Sequence, residues 1–175
     1  DPKTGYHFVD LEKRAEDCGS VRELMELYKQ TLDYFMGLQV ETEHINDEIH
    51  IQQDINAFRS SLVYDCIERA MDLVEGGSVY SADGGPTAGT ISAGDSLAAL
   101  DEIVFNQKLL TMEQVLHAMS TNYEDMETVP AGPEIRAILL NKAPKFGNDD
   151  ERADKWVVEL EDYIGSSYRY KYRSS

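Results

Sequence analysis

Apolar residues recur at helical spacing along most of this chain, and the breaks in that rhythm mark its elements. Leu24, Leu27, Phe35, Leu38, Ile45 and Ile49 follow a near-helical period, which predicts one long helix, or two end to end, from residue 20 to about residue 50. Ser20 followed by Glu23 is the sequence form of a capping box, in which each side chain satisfies a backbone donor left orphaned by the first turn. Ahead of it, residues 1–19 open with Asp-Pro-Lys-Thr-Gly and read as turn and loop. A second helical segment, Phe58 to Glu75, places Phe58, Leu62, Cys66, Met71 and Val74 on one side and stops at Gly76-Gly77. Helices are therefore expected over residues 20–75.

Residues 76–94 hold six of the twelve glycines. At about 1 kcal/mol each relative to alanine, that density predicts a loop rather than a helix interior, with a short strand at Val79 to Ser81. Helices resume over residues 95–165. Asp95 is placed to cap a helix from Ser96 to Phe105, where Ala98 and Ala99 permit close packing. Thr111 with Gln114 is another capping box, opening a helix with Val115, Leu116 and Met119 on its apolar face. Pro133 stands where a first helical residue belongs, ahead of Ile135, Ile138 and Leu139. Asn148 or Asp149 caps a last helix carrying Trp156, Val157, Leu160 and Ile164 and ending at Gly165, with a tail over residues 166–175. No fixed-period repeat appears, so the expectation is a mainly α, single segment over residues 1–175 with one core.

Composition narrows the classes. Hydrophobic and charged fractions of 42% and 28% are those of a folded, water-facing chain. A net charge of −17 repels a phosphate backbone, which argues against nucleic acid as a partner. The apolar runs are too short to span a bilayer. Two cysteines, Cys18 and Cys66, make no disulfide framework, and no charged-then-apolar leader follows Asp1. The expectation is a cytoplasmic chain away from membranes and a piece of something longer.

Several candidate chemistries meet a plainer reading. Gly89 and Gly94 enclose four residues as in a phosphate loop, but Asp95 stands where a lysine must neutralise phosphate. His44 and Glu48, within the run Glu43, His44, Asp47, Glu48 and His50, have the spacing to share a metal on one helical face. Without a His-Glu-x-x-His pattern or a cysteine pair, a solvated acidic face explains them, and no metal site is assigned. His7 and His117 have no partner suggested by sequence. Cys66 two residues before Glu68 has a thiol-and-carboxylate spacing, yet it falls inside a predicted amphipathic helix, where cysteine acts as a small hydrophobe. The alternating Tyr168 to Arg173 tail reads as a helix end or edge strand rather than a stacking platform for single strands.

Taken in order, Phe58-Arg59-Ser60-Ser61-Leu62, Asp65-Cys66-Ile67-Glu68-Arg69, Glu75-Gly76-Gly77-Ser78-Val79-Tyr80 and Gly94-Asp95-Ser96-Leu97-Ala98-Ala99-Leu100 resemble glycyl-radical enzymes related to pyruvate formate-lyase and glycerol dehydratase. The most specific stretch is Leu139-Leu140-Asn141-Lys142-Ala143-Pro144-Lys145-Phe146-Gly147-Asn148-Asp149-Asp150, similar to that family's Asn-x-Ala-Pro-Lys-Tyr-Gly-Asn-Asp-Asp run. The resemblance covers nearly the whole chain.

The resemblance implies that the segment is part of a larger α/β barrel of the pyruvate formate-lyase type. It implies an anaerobic lyase or dehydratase that cleaves a C–C or C–O bond of a small organic substrate by hydrogen abstraction. It also implies a homodimer and an S-adenosylmethionine-dependent iron–sulfur activating enzyme that installs a glycyl radical. No cofactor is expected in this segment itself. The family's Gly-Cys-x-Glu and Arg-Val-x-Gly-Tyr loops do not occur in the sequence. The segment alone is thus expected to be inactive and to contain no catalytic residue. The loop Tyr80-Ser81-Ala82-Asp83-Gly84-Gly85-Pro86-Thr87 departs from the family's usual Tyr-Asn-x-x-Gly-Pro-Gln. Tyr80, Ser81 and Asp83 are the candidate substrate-binding residues. The rival reading is a stand-alone acidic helical interaction module without catalysis.

Overall fold

The structure, a computed structural model, describes residues 7–80 and 87–170. Helices account for the regular structure, and no strand occurs among the described residues. The mainly α expectation therefore holds, whereas Val79 lies in a bend and Tyr80 in irregular backbone rather than in a strand. The opening residues Asp1 to Gly5, the candidates Ser81 and Asp83, and the tail beyond Tyr170 lie outside the described residues. Two compact units arise, one of residues 1–34 with 88–175 and the other of residues 35–87.

Helix α1 runs unbroken over Val21–Gln53. Its cap is a displaced version of the predicted box. The Glu23 N–H donates to Ser20 Oγ at 3.3 Å, but the Glu23 carboxylate accepts from the N–H of Gly19 at 3.4 Å instead of Ser20. Lys13 also binds that carboxylate at 3.0 Å, and this ammonium, together with the Gly19 amide, holds the Glu23 carboxyl below its ordinary range.

In the first unit, α4 (Thr90–Ala99) packs on α7 (Glu151–Tyr170). Asp95 does not cap α4. The helix starts six residues earlier than expected, at Thr90 after Gly89, whose φ of 88° is a conformation that favours glycine. Gly94 is consequently helical, and the reason is packing. A Cβ there would overlap Val157 Cγ2 and lie 3.1 Å from the Val157 backbone nitrogen. The helical cost of glycine is offset by the close approach of two helices. Beyond Ala99 the same rod widens into a π-helix over Leu100–Asn106, closed by the Gln107 N–H on the Glu102 carbonyl at 2.8 Å.

Around this pair lie two apolar clusters. Val21, Met25, Leu97, Ala98, Ala153, Trp156 and Leu160 form one. Ile103 and Val104 join α5 (Met112–Ser120) and α6 (Gly132–Lys142) through Leu110, Val115, Ala118 and Ile135 in the other. The Thr111 and Gln114 box is present in both directions, at 3.2 and 2.8 Å. Met119 is exposed, and Met112 and Ala118 take the buried positions with Val115. Pro133 is the second residue of α6 rather than the first. Asp150, not Asn148 or Asp149, serves the start of α7, accepting from the Arg152 N–H at 3.1 Å and pairing with its guanidinium. Gly165 does not end α7, which continues to Tyr170.

Cations brace α7 from two sides. Arg22 and Lys29 of α1 pair with Glu159, and Lys155 and Arg152 pair with Asp101 and Glu102 of the π-helix. Trp156 meets two cations, with the Arg22 guanidinium 4.9 Å and the Lys155 ammonium 4.6 Å from its ring centroid.

The second unit departs most from the sequence expectation. The predicted helix from Phe58 to Glu75 is three short pieces, α2 (Ala57–Ser61), α3 (Cys66–Arg69) and a 3-10 turn over Leu73–Glu75. Left-handed Asp65 and Ala70, at φ 73° and 50°, break it on either side of α3. Phe58 and Leu62 are therefore exposed, while Cys66 is buried.

The tightness at Gly94 gives a direct test. Gly94→Ala should lower stability in urea denaturation by about 1–2 kcal/mol net, because overpacking outweighs alanine's better helix propensity. In a Val157→Ala background the same change should cost at least ~1 kcal/mol less.

Candidate functional site

The approach to Tyr80 is built around one buried carboxylate. Asp72 sits between α3 and the 3-10 turn, buried with Ser60. Its oxygens accept the N–H of Asn56 at 3.0 Å and of Val74 at 3.2 Å. The Ser60 hydroxyl adds a further bond to the same carboxylate and accepts the Leu73 N–H at 2.9 Å. Asp72 and Glu75 form a reciprocal capping box, with the Asp72 N–H on Glu75 at 2.9 Å. The Ser60 hydroxyl first, and the two backbone donors after it, hold the Asp72 carboxyl below the ordinary carboxylate range.

From this hub the chain turns outward through Gly76, at φ 80°, and Gly77. Their N–H groups donate to the carbonyls of Leu73 and Asp72 at 3.2 and 2.9 Å. A Cβ on Gly77 would overlap the Met71 carbonyl and lie 2.8 Å from that of Asp72, so no larger residue fits this turn. Arg69 reaches across, its Nη1 lying 3.1, 3.3 and 3.3 Å from the carbonyl oxygens of Gly76, Gly77 and Ser78. The buried Ser78 hydroxyl then donates to the Tyr80 carbonyl at 3.2 Å. Tyr80 itself is 92% exposed, so its phenol is presented outward from a fixed backbone.

Other candidates resolve differently. Cys66 is buried at the first residue of α3, with Glu68 exposed beside it in sequence. Its burial follows the hydrophobe reading, though the helix is one turn and not the expected amphipathic run. His44 and Glu48 lie exposed on α1, and no group of three or more potential ligands is placed to hold a metal among the described residues. His117 does have a partner. Its Nε2 is 2.7 Å from Asp125 Oδ2, and the other Asp125 oxygen accepts the Glu127 N–H at 2.8 Å. The His117 imidazole and that amide hold the Asp125 carboxyl below its ordinary range, bracing the α5–α6 turn. Cys18 is buried, and burial pushes its thiol up.

A cavity of about 760 Å3 also opens in the first unit, walled by Leu24, Leu27 and Tyr28 of α1 and by Ala93, Leu97 and Leu100. Two of its charged lining residues are engaged, Lys13 with Glu23 and Arg14 with Glu16.

Residues 143–150, within the most specific stretch of the sequence, form the α6–α7 connection. The Phe146 N–H donates to Asp95 of α4 at 2.8 Å, and the Gly147 N–H to Asp154 of α7 at 3.1 Å. Two carboxylates on neighbouring helices thus pin this turn, which gives Asp95 the role that a helix cap does not.

Residues 1–173 match the family described as pyruvate formate lyase-like, and the chain belongs to that family of glycyl-radical enzymes. It is 29% identical over 178 residues to the probable dehydratase YbiW of Escherichia coli K12, covering 96% of this chain and 22% of that protein. It is 34% identical over 143 residues to the trans-4-hydroxy-L-proline dehydratase of Clostridioides difficile, covering 81% of this chain and 17% of that one. The glycerol-bound B12-independent glycerol dehydratase of Clostridium butyricum superposes with a TM-score of 0.79 at 28% identity, over 97% of this chain and 21% of that one. The chain spans about a fifth of the length of these relatives.

Asp72 provides a pH signature. A carboxyl whose folded value is depressed stabilises above the unfolded value of about 3.9, and the contribution is lost as pH falls through the lower folded value. Asp72→Asn should therefore be less stable than the parent chain at pH 7, with the gap closing below about pH 3.9. Denaturant melts of both proteins across pH 2–7 check this.

Proposed function

We propose that the chain is the part of a glycyl-radical lyase or dehydratase that helps shape the substrate cavity, with Tyr80, Ser81 and Asp83 facing a small organic substrate. The family match over residues 1–173 carries this reading. The curated relatives named above are dehydratases, which favours loss of water from a hydroxylated substrate over other bond cleavages. A glycyl radical elsewhere in the enzyme, installed by an S-adenosylmethionine iron–sulfur activating enzyme, supplies the hydrogen abstraction.

What this chain contributes is orientation and exclusion of water. The Tyr80 phenol is both donor and acceptor, suited to a substrate hydroxyl, and it leaves a backbone already fixed by Arg69 and Ser78. Asp83 adds an acceptor and Ser81 a hydroxyl, three and one positions beyond Tyr80 in sequence. The enzyme so read works as a homodimer in the cytoplasm under anaerobic conditions. Among the described residues no helix is long and apolar enough to cross a membrane.

The test is anaerobic turnover of the enzyme that contains this chain, activated and supplied with small diols, triols and 4-hydroxyproline. Tyr80→Phe should raise KM for the accepted substrate about tenfold, the worth of one lost hydrogen bond. The radical signal in electron paramagnetic resonance should stay at parental amplitude. Unchanged KM in Tyr80→Phe, Ser81→Ala and Asp83→Asn alike contradicts the assignment.

A further inference from the structure

Arg69 has no carboxylate partner among the ion pairs of the described residues, yet it is the only side chain among those residues that bridges consecutive carbonyls of the turn that leads to Tyr80. Three carbonyl oxygens converge within 3.3 Å of its Nη1. An Nη1 carries two hydrogens, so one is shared, and the interaction is as much that of a cation with three convergent dipoles as of discrete bonds. Without a cation those dipoles point their negative ends at one another. The turn's other fixings are neutral and local, the Gly76 and Gly77 amides on Leu73 and Asp72 and the Ser78 hydroxyl on the Tyr80 carbonyl.

The geometry points to Arg69 as the positioning residue of the Tyr80 loop: its cation gathers the carbonyls of Gly76, Gly77 and Ser78 and so fixes the direction in which Tyr80 leaves the turn. The inference rests on the substrate-facing reading of Tyr80 for its functional meaning, but its structural half stands apart from it. Among the described residues the hydrogen bonds from Arg69 go to backbone carbonyls, so the role assigned to it is to act through Tyr80 rather than on substrate directly. Its position on α3 follows from left-handed Asp65 and Ala70, which end that helix so that the Arg69 side chain faces residues 76–78 instead of continuing along a longer helix.

The experiment compares the parent chain with Arg69→Lys and Arg69→Met. Lysine keeps a positive charge with three donors on a shorter stem, and methionine keeps an apolar stem without charge. Amide hydrogen exchange is followed at Gly76 and Gly77, with Leu160 of α7 as the reference for the first unit. Arg69→Met should speed exchange at both glycines about tenfold or more, Arg69→Lys should stay within about threefold of the parent, and Leu160 should not change. Exchange within about twofold of the parent in Arg69→Met overturns the proposal, as does equal acceleration in both variants.

In the activated enzyme containing this chain, Arg69→Met should raise KM for the accepted substrate with kcat little changed, and Arg69→Lys should restore it. Faster glycine exchange without a KM effect overturns the link to substrate. A KM effect of Tyr80→Phe alone, with exchange unmoved by Arg69→Met, leaves the reading of Tyr80 in place and removes Arg69 from it.

Discussion

Where Gly94 meets Val157, α4 and α7 approach so closely that a single methyl group would enter the facing side chain and press on its backbone. Much of the first unit follows from that approach. It brings Leu97 and Ala98 against Trp156 and Leu160 in one apolar cluster, and it sets the rod whose widened end carries Ile103 and Val104 into the other. It also brings the Asp95 carboxylate, one residue on, within reach of the Phe146 amide. The turn over residues 143–150, within the stretch similar to the family, is thus an architectural feature, a connection held by carboxylates of the two helices that Gly94 allows to touch. Charge reinforces the same contact, since Lys155 and Arg152 neutralise Asp101 and Glu102, and Arg22 and Lys29 neutralise Glu159. In a chain of net charge −17, such placement of scarce cations at the packed faces limits repulsion where the helices meet.

The second unit is organised on a different principle. Its short helices leave Phe58, Leu62, Tyr64 and Ile67 exposed, and its order comes from a polar hub in which Asp72 and Ser60 collect backbone donors from three directions. Hydrogen bonds to a buried carboxylate specify a unique backbone path even where little apolar area is covered. That property suits a segment whose part in the proposed chemistry is to present a phenol outward from a fixed point.

The sequence revealed those elements whose cause is local. The long first helix, the Thr111 box and the apolar line through Trp156, Val157, Leu160 and Ile164 were all readable because periodicity and capping depend on neighbours a few residues apart. The errors share one cause, which is that tertiary contacts override local preference. Gly94 reads as a loop residue until the nearness of Val157 explains it. Asp95 reads as a cap until Phe146 claims its carboxylate across 51 residues. The segment from Phe58 to Glu75 has a helical apolar pattern, but Asp65 and Ala70 adopt left-handed conformations that no residue type there announces. In the candidate site, Tyr80 is proposed from the resemblance, while Ser60 and Arg69 appear in its motifs without any role that the sequence assigns them. The one available signal was Asp72 followed three residues later by Glu75, a capping pattern hidden inside what looked like a continuous helix.

Family membership and local physics therefore meet at two places, the pinned turn at Phe146 and the glycine-rich turn before Tyr80. The central claim is that the first of these is locked into the α4–α7 contact and opens only with it. Residue-resolved hydrogen exchange of the Phe146 amide tests this most directly. The account predicts that this amide, though close to solvent, exchanges as slowly as the amides flanking Val157 in α7 and loses that protection in Asp95→Ala. Free exchange of the Phe146 amide in the parent chain, while α4 and α7 remain protected, would contradict it.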